Sequence, residues 1–208
     1  LKEHLINNKK VHVHDNVLSD NIIQRWVEFY EHSAKFSLCA VENPNDKSSS
    51  VYFNMPITLK ERIELFEVDE WLPEYLKKFN EACTLRWFNR SYINLMTRGD
   101  TVSGHVDVSP ELESDICYIT CLLFLNPFVD STQDNGFTIE DLYIENKFNR
   151  MIVFDGTLFH KSSIPNDDLV RLTLYLGFNN RKIKNSYNQE KSLGVKNYWF
   201  KTTFNSNN

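Results

Sequence analysis

Apolar and polar residues alternate along "VHVHDNVLS" (11–19), the period of a strand with one buried face. Val11 and Val13 are expected to point inward, leaving His12 and His14 as the wet face. The period then lengthens. "NIIQRWVEFYEHS" (21–33) is amphipathic at helical spacing, and Ser19 or Asp20 stands where an N-cap belongs. "VENPNDKSSS" (41–50) is loop by composition, and "TLKERIELFEVDEWLPEYLKKFNEAC" (58–83) reads as helix. Pro73 is expected to open a second helical piece there, and the acidic first half to be a solvated face.

From about residue 85 the pattern changes again. "LRWFNRSYINLM", "YITCLLFLN", "GFTIEDLYI", "RMIVFDG" and "VRLTLYLGF" are β-branched or aromatic runs separated by turn signals. Such spacing predicts a mainly β sandwich or barrel, preceded by supporting helices over 19–83. The β core then covers about 85–179, and a basic extension covers 181–208.

Composition narrows the class. A chain of 208 residues is expected to form a single domain with a substantial core. A hydrophobic share of 41% and a charged share of 25% are ordinary for a soluble protein. The net charge of −5 argues against nucleic acid as a partner, because phosphate binding favours a basic surface. No apolar run approaches the length of a spanning helix, and "LKEHLINNKK" lacks a signal-like apolar stretch, so no membrane association is expected. Cys39, Cys83, Cys117 and Cys121 form no C-x-x-C pair. They read as small core residues of a reducing cytoplasm. The tail sets Arg181, Lys182, Lys184, Lys191, Lys196 and Lys201 against Glu190 alone. It reads as a solvated segment, with a flap over an anionic substrate as the alternative. Oligomeric state is not legible.

The candidate chemistry sits in "SGHVDVSP" (103–110). His105 and Asp107 are two apart, so an extended backbone turns both to one side. A His-x-acid triplet arises by chance about once in a chain of this composition, so it needs company. His160 is the only histidine downstream, at the end of "MIVFDGTLFH". Two His and one carboxylate make a facial triad for a divalent iron, leaving the opposite positions open. Arg171 lies in the apolar run "VRLTLYLGF", where a guanidinium is costly to bury unless an anion meets it. Alternation puts the Thr173 hydroxyl on the same face.

The order His-x-Asp, a distal His and an Arg eleven residues later resembles the Fe(II)/2-oxoglutarate-dependent dioxygenases, above all the prolyl 4-hydroxylase-like branch. "TRGDTVSGHVD" resembles the glycine turn entering the first metal strand, "DICYITCLLFLNP" the long core strand, "DNGFTIE" a hairpin, and "NRMIVFDGTLFHKSS" the strand-turn-strand that delivers the distal His. "VHVHDNVLS" and its helix resemble the usual N-terminal entry, so the resemblance covers most of 11–179.

It implies a double-stranded β-helix (jelly roll) with helices packed on its major sheet. It also implies His105, Asp107 and His160 as Fe(II) ligands, and 2-oxoglutarate and O2 as co-substrates, with ascorbate in support. The C5 carboxylate would lie on Arg171 beside Thr173. The implied reaction hydroxylates an unactivated C–H bond of a peptidyl (prolyl-like) or small-molecule (amino-acid-like) substrate, releasing succinate and CO2. Halogenating members replace the carboxylate ligand with a small residue, so Asp107 favours hydroxylation or desaturation. Two family tyrosines that hold 2-oxoglutarate are absent here, their places being taken by Met96 and Phe124. Asn94, Tyr92 and Tyr118 are the replacement candidates. A cupin-like metal protein and a non-catalytic jelly-roll binding module are the alternatives, although cupins favour H-x-H with a Glu.

Overall fold

Two antiparallel sheets organise the described residues, and the alternation of side chains along their strands decides what lies on each face. The computed structural model describes residues 1–41, 50–79, 87–98, 100, 103–108, 117–127, 136–165 and 170–179. Its eight-stranded sheet contains β1 (Lys2–Ile6), β2 (Lys9–Asp15), β3 (Ser37–Val41), β4 (Ser50–Pro56), β5 (Trp87–Met96), β6 (Tyr118–Phe124), β9 (Arg150–Asp155) and β11 (Arg171–Asn179). Their order in space is β1-β2-β9-β6-β11-β5-β4-β3. The smaller sheet orders β10 (His160–Ser162), β7 (Phe137–Ile139) and β8 (Leu142–Ile144).

β11 shows how one strand serves two cores. All nine of its residues are buried, as a central strand covered on both faces requires. Leu172, Leu174, Leu176 and Phe178 join Ile119, Cys121, Leu123, Met151 and Val153 in one cluster. Helix α1 (Asp20–His32) adds Ile22 and Trp26 to it, and α3 (Val68–Phe79) adds Val68, Leu72, Leu76 and Phe79. Trp26 Nε1–H also donates to Leu125 O at 2.9 Å, tying α1 to the end of β6. On the opposite face, Val11, Val13, Leu122, Phe124, Ile152, Phe154 and Tyr175 meet Phe137, Ile139 and Ile144 of the smaller sheet.

Several expectations change. His12 and His14 are not a wet face: they are 1% and 6% exposed. β2 lies second from the sheet edge, and the helix side of that strand is roofed by α3. The Phe79 and Tyr75 rings stand edge-on to His12 and His14, at 5.0 and 4.6 Å between centroids. Glu3, across the ladder on β1, reaches His12 Nε2 at 3.0 Å. Burial pushes both imidazoles below their ordinary range, His14 to about 4.

The segment 58–83 breaks before Pro73. Helix α2 (Leu59–Glu64) opens on a capping box in which Glu61 N–H donates to Thr58 Oγ1 at 3.3 Å, and Thr58 N–H to Glu61 Oε2 at 2.7 Å. It ends before Glu67, which takes a left-handed φ of 49°, and Pro73 then lies inside α3. Residues 19–83 are not all helical support either. β3 and β4 form a hairpin within them that extends the large sheet through β5, pairing Phe53 with Leu95 and Met55 with Ile93. The expected 41–50 loop loses Val41 and Ser50 to that hairpin, its remainder lying outside the described residues. Cys121 is a free, buried core thiol as expected, but Cys117 is disulfide-bonded. Cysteine usage therefore gives no support to a reducing compartment. No described helix is long and apolar enough to cross a membrane.

Candidate metal centre and its adjoining cavity

His105 and His160 meet through their backbones. Their N–H and C=O groups exchange two hydrogen bonds, at 3.0 and 2.9 Å, as an isolated bridge continuing β10. That pairing brings the two rings to 4.5 Å between centroids. Asp107, two residues on, donates its backbone N–H to Gly156 O at 2.8 Å, so the Asp155-Gly156 turn between β9 and β10 carries it towards both rings. Oδ1 of Asp107 lies 3.9 Å from His105 Nε2, and Oδ2 lies 3.9 Å from His160 Nε2. One ligand atom from each of the three residues falls within 4.8 Å of the others, a spacing that suits one bound cation.

The donor set fits a divalent transition metal for a further reason. His160 Nδ1 is 2.9 Å from Leu158 O, and His105 Nδ1 is 3.3 Å from Ser103 O. A carbonyl oxygen can only accept, so each Nδ1 carries the proton and each Nε2 turns its lone pair to the shared centre. Burial grades the three ligands: the side chains of Asp107 and His160 are 0% and 4% exposed, whereas that of His105 is 54% exposed. The centre therefore opens on the His105 side. Phe137 and Phe154 wall the His160 ring at 5.5 and 5.0 Å.

A cavity adjoins the centre, lined by Tyr92, Asn94, His105, Leu122, Phe137, His160, Ser162, Arg171, Thr173 and Tyr175. Cross-strand pairs of β5 and β11 supply one wall, Asn94 with Thr173 and Tyr92 with Tyr175, and Arg171 beside them pairs with Met96. Arg171 is fully enclosed. Its Nη1 donates to Gly136 O at 3.0 Å and Ser163 O at 2.7 Å, while its Nη2 contacts the Met96 sulfur. Burial pushes its guanidinium down to about 10, still charged at neutral pH. Asn94 brings a buried side-chain oxygen that has no hydrogen-bond partner among the described residues. Tyr92 lies flat on Tyr175, 4.6 Å between centroids and 3° between planes.

Of the residues singled out from sequence, His105, Asp107 and His160 converge, and Arg171, Thr173, Asn94 and Tyr92 line the same cavity. Tyr118 stands behind it, its hydroxyl 3.1 Å from that of Tyr175. Phe124 belongs to the apolar layer between the sheets. Asp100 is a turn former whose Oδ2 accepts from Thr97 N–H at 2.6 Å, while Ser109 and Asp115 lie outside the described residues. Sequence reasoning passed over Tyr175, Ser162, Leu122 and Phe137. Period two counted on from Arg171 and Thr173 would have reached Tyr175; the others depend on how the two sheets stack.

No protein-family model matches the sequence, and no curated protein matches it. Solved structures do match in fold. A prolyl hydroxylase from Trichoplax adhaerens, in complex with a hypoxia inducible factor peptide fragment, aligns over 89% of this chain and 87% of its own, with TM-score 0.59 and 14% identity. A prolyl-4-hydroxylase from Pseudomonas putida aligns over 83% and 93%, with TM-score 0.60 and 14% identity. HygX from Streptomyces hygroscopicus, with nickel, 2-oxoglutarate and hygromycin B bound, aligns over 83% and 84%, with TM-score 0.57 and 11% identity. At these identities the likeness is one of fold.

Proposed function

We propose that this chain is an Fe(II)- and 2-oxoglutarate-dependent oxygenase that hydroxylates a peptidyl or small-molecule substrate, its two sheets forming a helix-buttressed jelly roll in one domain. The carrying observation is the convergence of His105, Asp107 and His160 beside a cavity that holds a buried cation, Arg171. His105, Asp107 and His160 would hold the iron, which when bound would supply oxygen activation coupled to decarboxylation of 2-oxoglutarate to succinate and CO2. The remaining work belongs to the protein. Leu158 O and Ser103 O hold the two imidazoles in the tautomer that offers Nε2. Arg171 binds the C5 carboxylate, its fork aimed by the carbonyls of Gly136 and Ser163. Thr173 offers a hydroxyl on the same wall. A half-turn of the Asn94 amide replaces its unpartnered acceptor with an NH2 donor. These two supply the polar contacts that Met96 and Phe124 cannot. Phe137, Leu122 and the Tyr92–Tyr175 stack exclude water from the cavity.

The fold accommodates more than one substrate class: the Trichoplax enzyme is seen with a peptide and HygX with hygromycin B. Anaerobic addition of Fe(II) and 2-oxoglutarate should give a weak visible charge-transfer band. Absence of that band, together with unchanged iron content in His160→Ala, would overturn the proposal. Coupled against uncoupled succinate formation across candidate substrates identifies the acceptor.

A further inference from the structure

Thr120 is the one polar residue in the middle of an apolar strand. β6 reads YITCLLF, with every residue buried, and alternation sets Tyr118, Thr120, Leu122 and Phe124 on the face towards the smaller sheet. A buried hydroxyl is costly unless it is hydrogen-bonded. Thr120 Oγ1 donates to Asp107 Oδ2, and the side chain of Asp107 is itself completely buried.

The backbone holds the two together. Asp107 N–H donates to Gly156 O at 2.8 Å and Gly156 N–H donates to Tyr118 O at 2.9 Å, so Gly156 bridges β6 to the Asp107 turn. A Cβ at Gly156 would collide with the Tyr118 ring and lie 3.2 Å from both Asp107 Cβ and Thr120 Oγ1. The missing side chain at Gly156 therefore leaves room for the carboxylate to reach the hydroxyl.

We propose that Thr120 is a positioning residue for the metal centre: its hydroxyl orients the Asp107 carboxylate towards His105 and His160, and so sets metal affinity. This rests on the reading of those three residues as metal ligands. Two torsions separate the Asp107 backbone from its oxygens, and without a donor the carboxylate would have to be ordered at the moment of binding. Threonine suits the role because a β-branched side chain is stiff at χ1, which fixes the direction of its O–H. Hydrogen-bonded carboxylate ligands elsewhere lose metal affinity when that outer partner is removed.

The test is calorimetric titration of Ni(II) alone into the whole, chelator-stripped protein, with melting of the metal-free protein measured alongside. Thr120→Val keeps the shape and deletes the donor, and should weaken Ni(II) binding by about 10- to 100-fold, with Thr120→Ser restoring it to within about threefold. If Thr120→Val does not fold, Thr120→Ala against Thr120→Ser gives the same contrast without added branching. Equal Ni(II) affinity in wild type and donor-less variants, whatever their melting temperatures, would reduce Thr120 to a packing role and overturn the proposal. Failure of the wild type to bind Ni(II) would instead overturn the metal reading itself, and this proposal with it.

Discussion

At the scale of single residues, the proposed oxygenase would divide the cavity between a metal end at His105, Asp107 and His160 and an anion end at Arg171. This arginine is buried, charged and locked by two backbone carbonyls, so Arg171→Ala should raise the 2-oxoglutarate requirement by about 10- to 100-fold while metal still binds. A titration of succinate formation against co-substrate, paired with metal content, checks both halves. Asn94→Ala and Thr173→Val should each raise the requirement by up to about tenfold, because each deletes one neutral hydrogen-bonding group. Loss of metal in either variant would contradict their placement on the co-substrate wall.

At the scale of elements, α1 and α3 hold the large sheet from behind, and each has a distinct vulnerability. Trp26 fills the cluster under α1 and hydrogen-bonds Leu125, so Trp26→Ala should cost about 3–5 kcal/mol of stability by denaturant unfolding. The α3 contact is sensitive to acid. His14 sits at about 4 in the folded chain against 6.5 in an unfolded one, because burial opposes its charge. The unfolded chain therefore takes up this proton first. Stability falls as pH drops from about 6.5 towards 4, and this contribution levels off below that. His12 shifts in the same direction. Asp15, held at about 2 by Arg150 and Lys147, acts in a lower window, between about 3.8 and 2. Denaturant midpoints at pH 7 and pH 5 should differ in the wild type, and the difference should shrink in His14→Phe, which packs on Tyr75 without titrating, leaving the His12 contribution.

At the scale of the whole molecule, every described residue lining the cavity comes from before position 179. Deleting 183–208 should therefore leave Ni(II) and 2-oxoglutarate affinities unchanged. Turnover lost only on an acidic substrate would show that the basic tail closes over it. A parallel fall in Ni(II) affinity would instead place the tail within the support of the metal centre.

The ordering of motifs was readable directly from the sequence because its signals are local. Apolar β-branched and aromatic runs marked β6, β9 and β11, the turn at Asp155-Gly156 marked the approach to His160, and an arginine in an apolar strand marked Arg171 as a residue awaiting an anion. Other features required the packed chain. Alternation showed that His12 and His14 share a face opposite Val11 and Val13, but not that α3 would cover it. The β3–β4 hairpin, the helix break at Glu67 and the cavity role of Tyr175 follow from which strands neighbour one another. Thr120 and Asp107 are thirteen residues apart, and nothing local announces that they touch. The sequence alone determined which residues could do chemistry, since side-chain type and strand period are properties of short segments. Only the tertiary structure decided which of them meet and which are shut away from water, because those depend on long-range register and on the layer that covers each face.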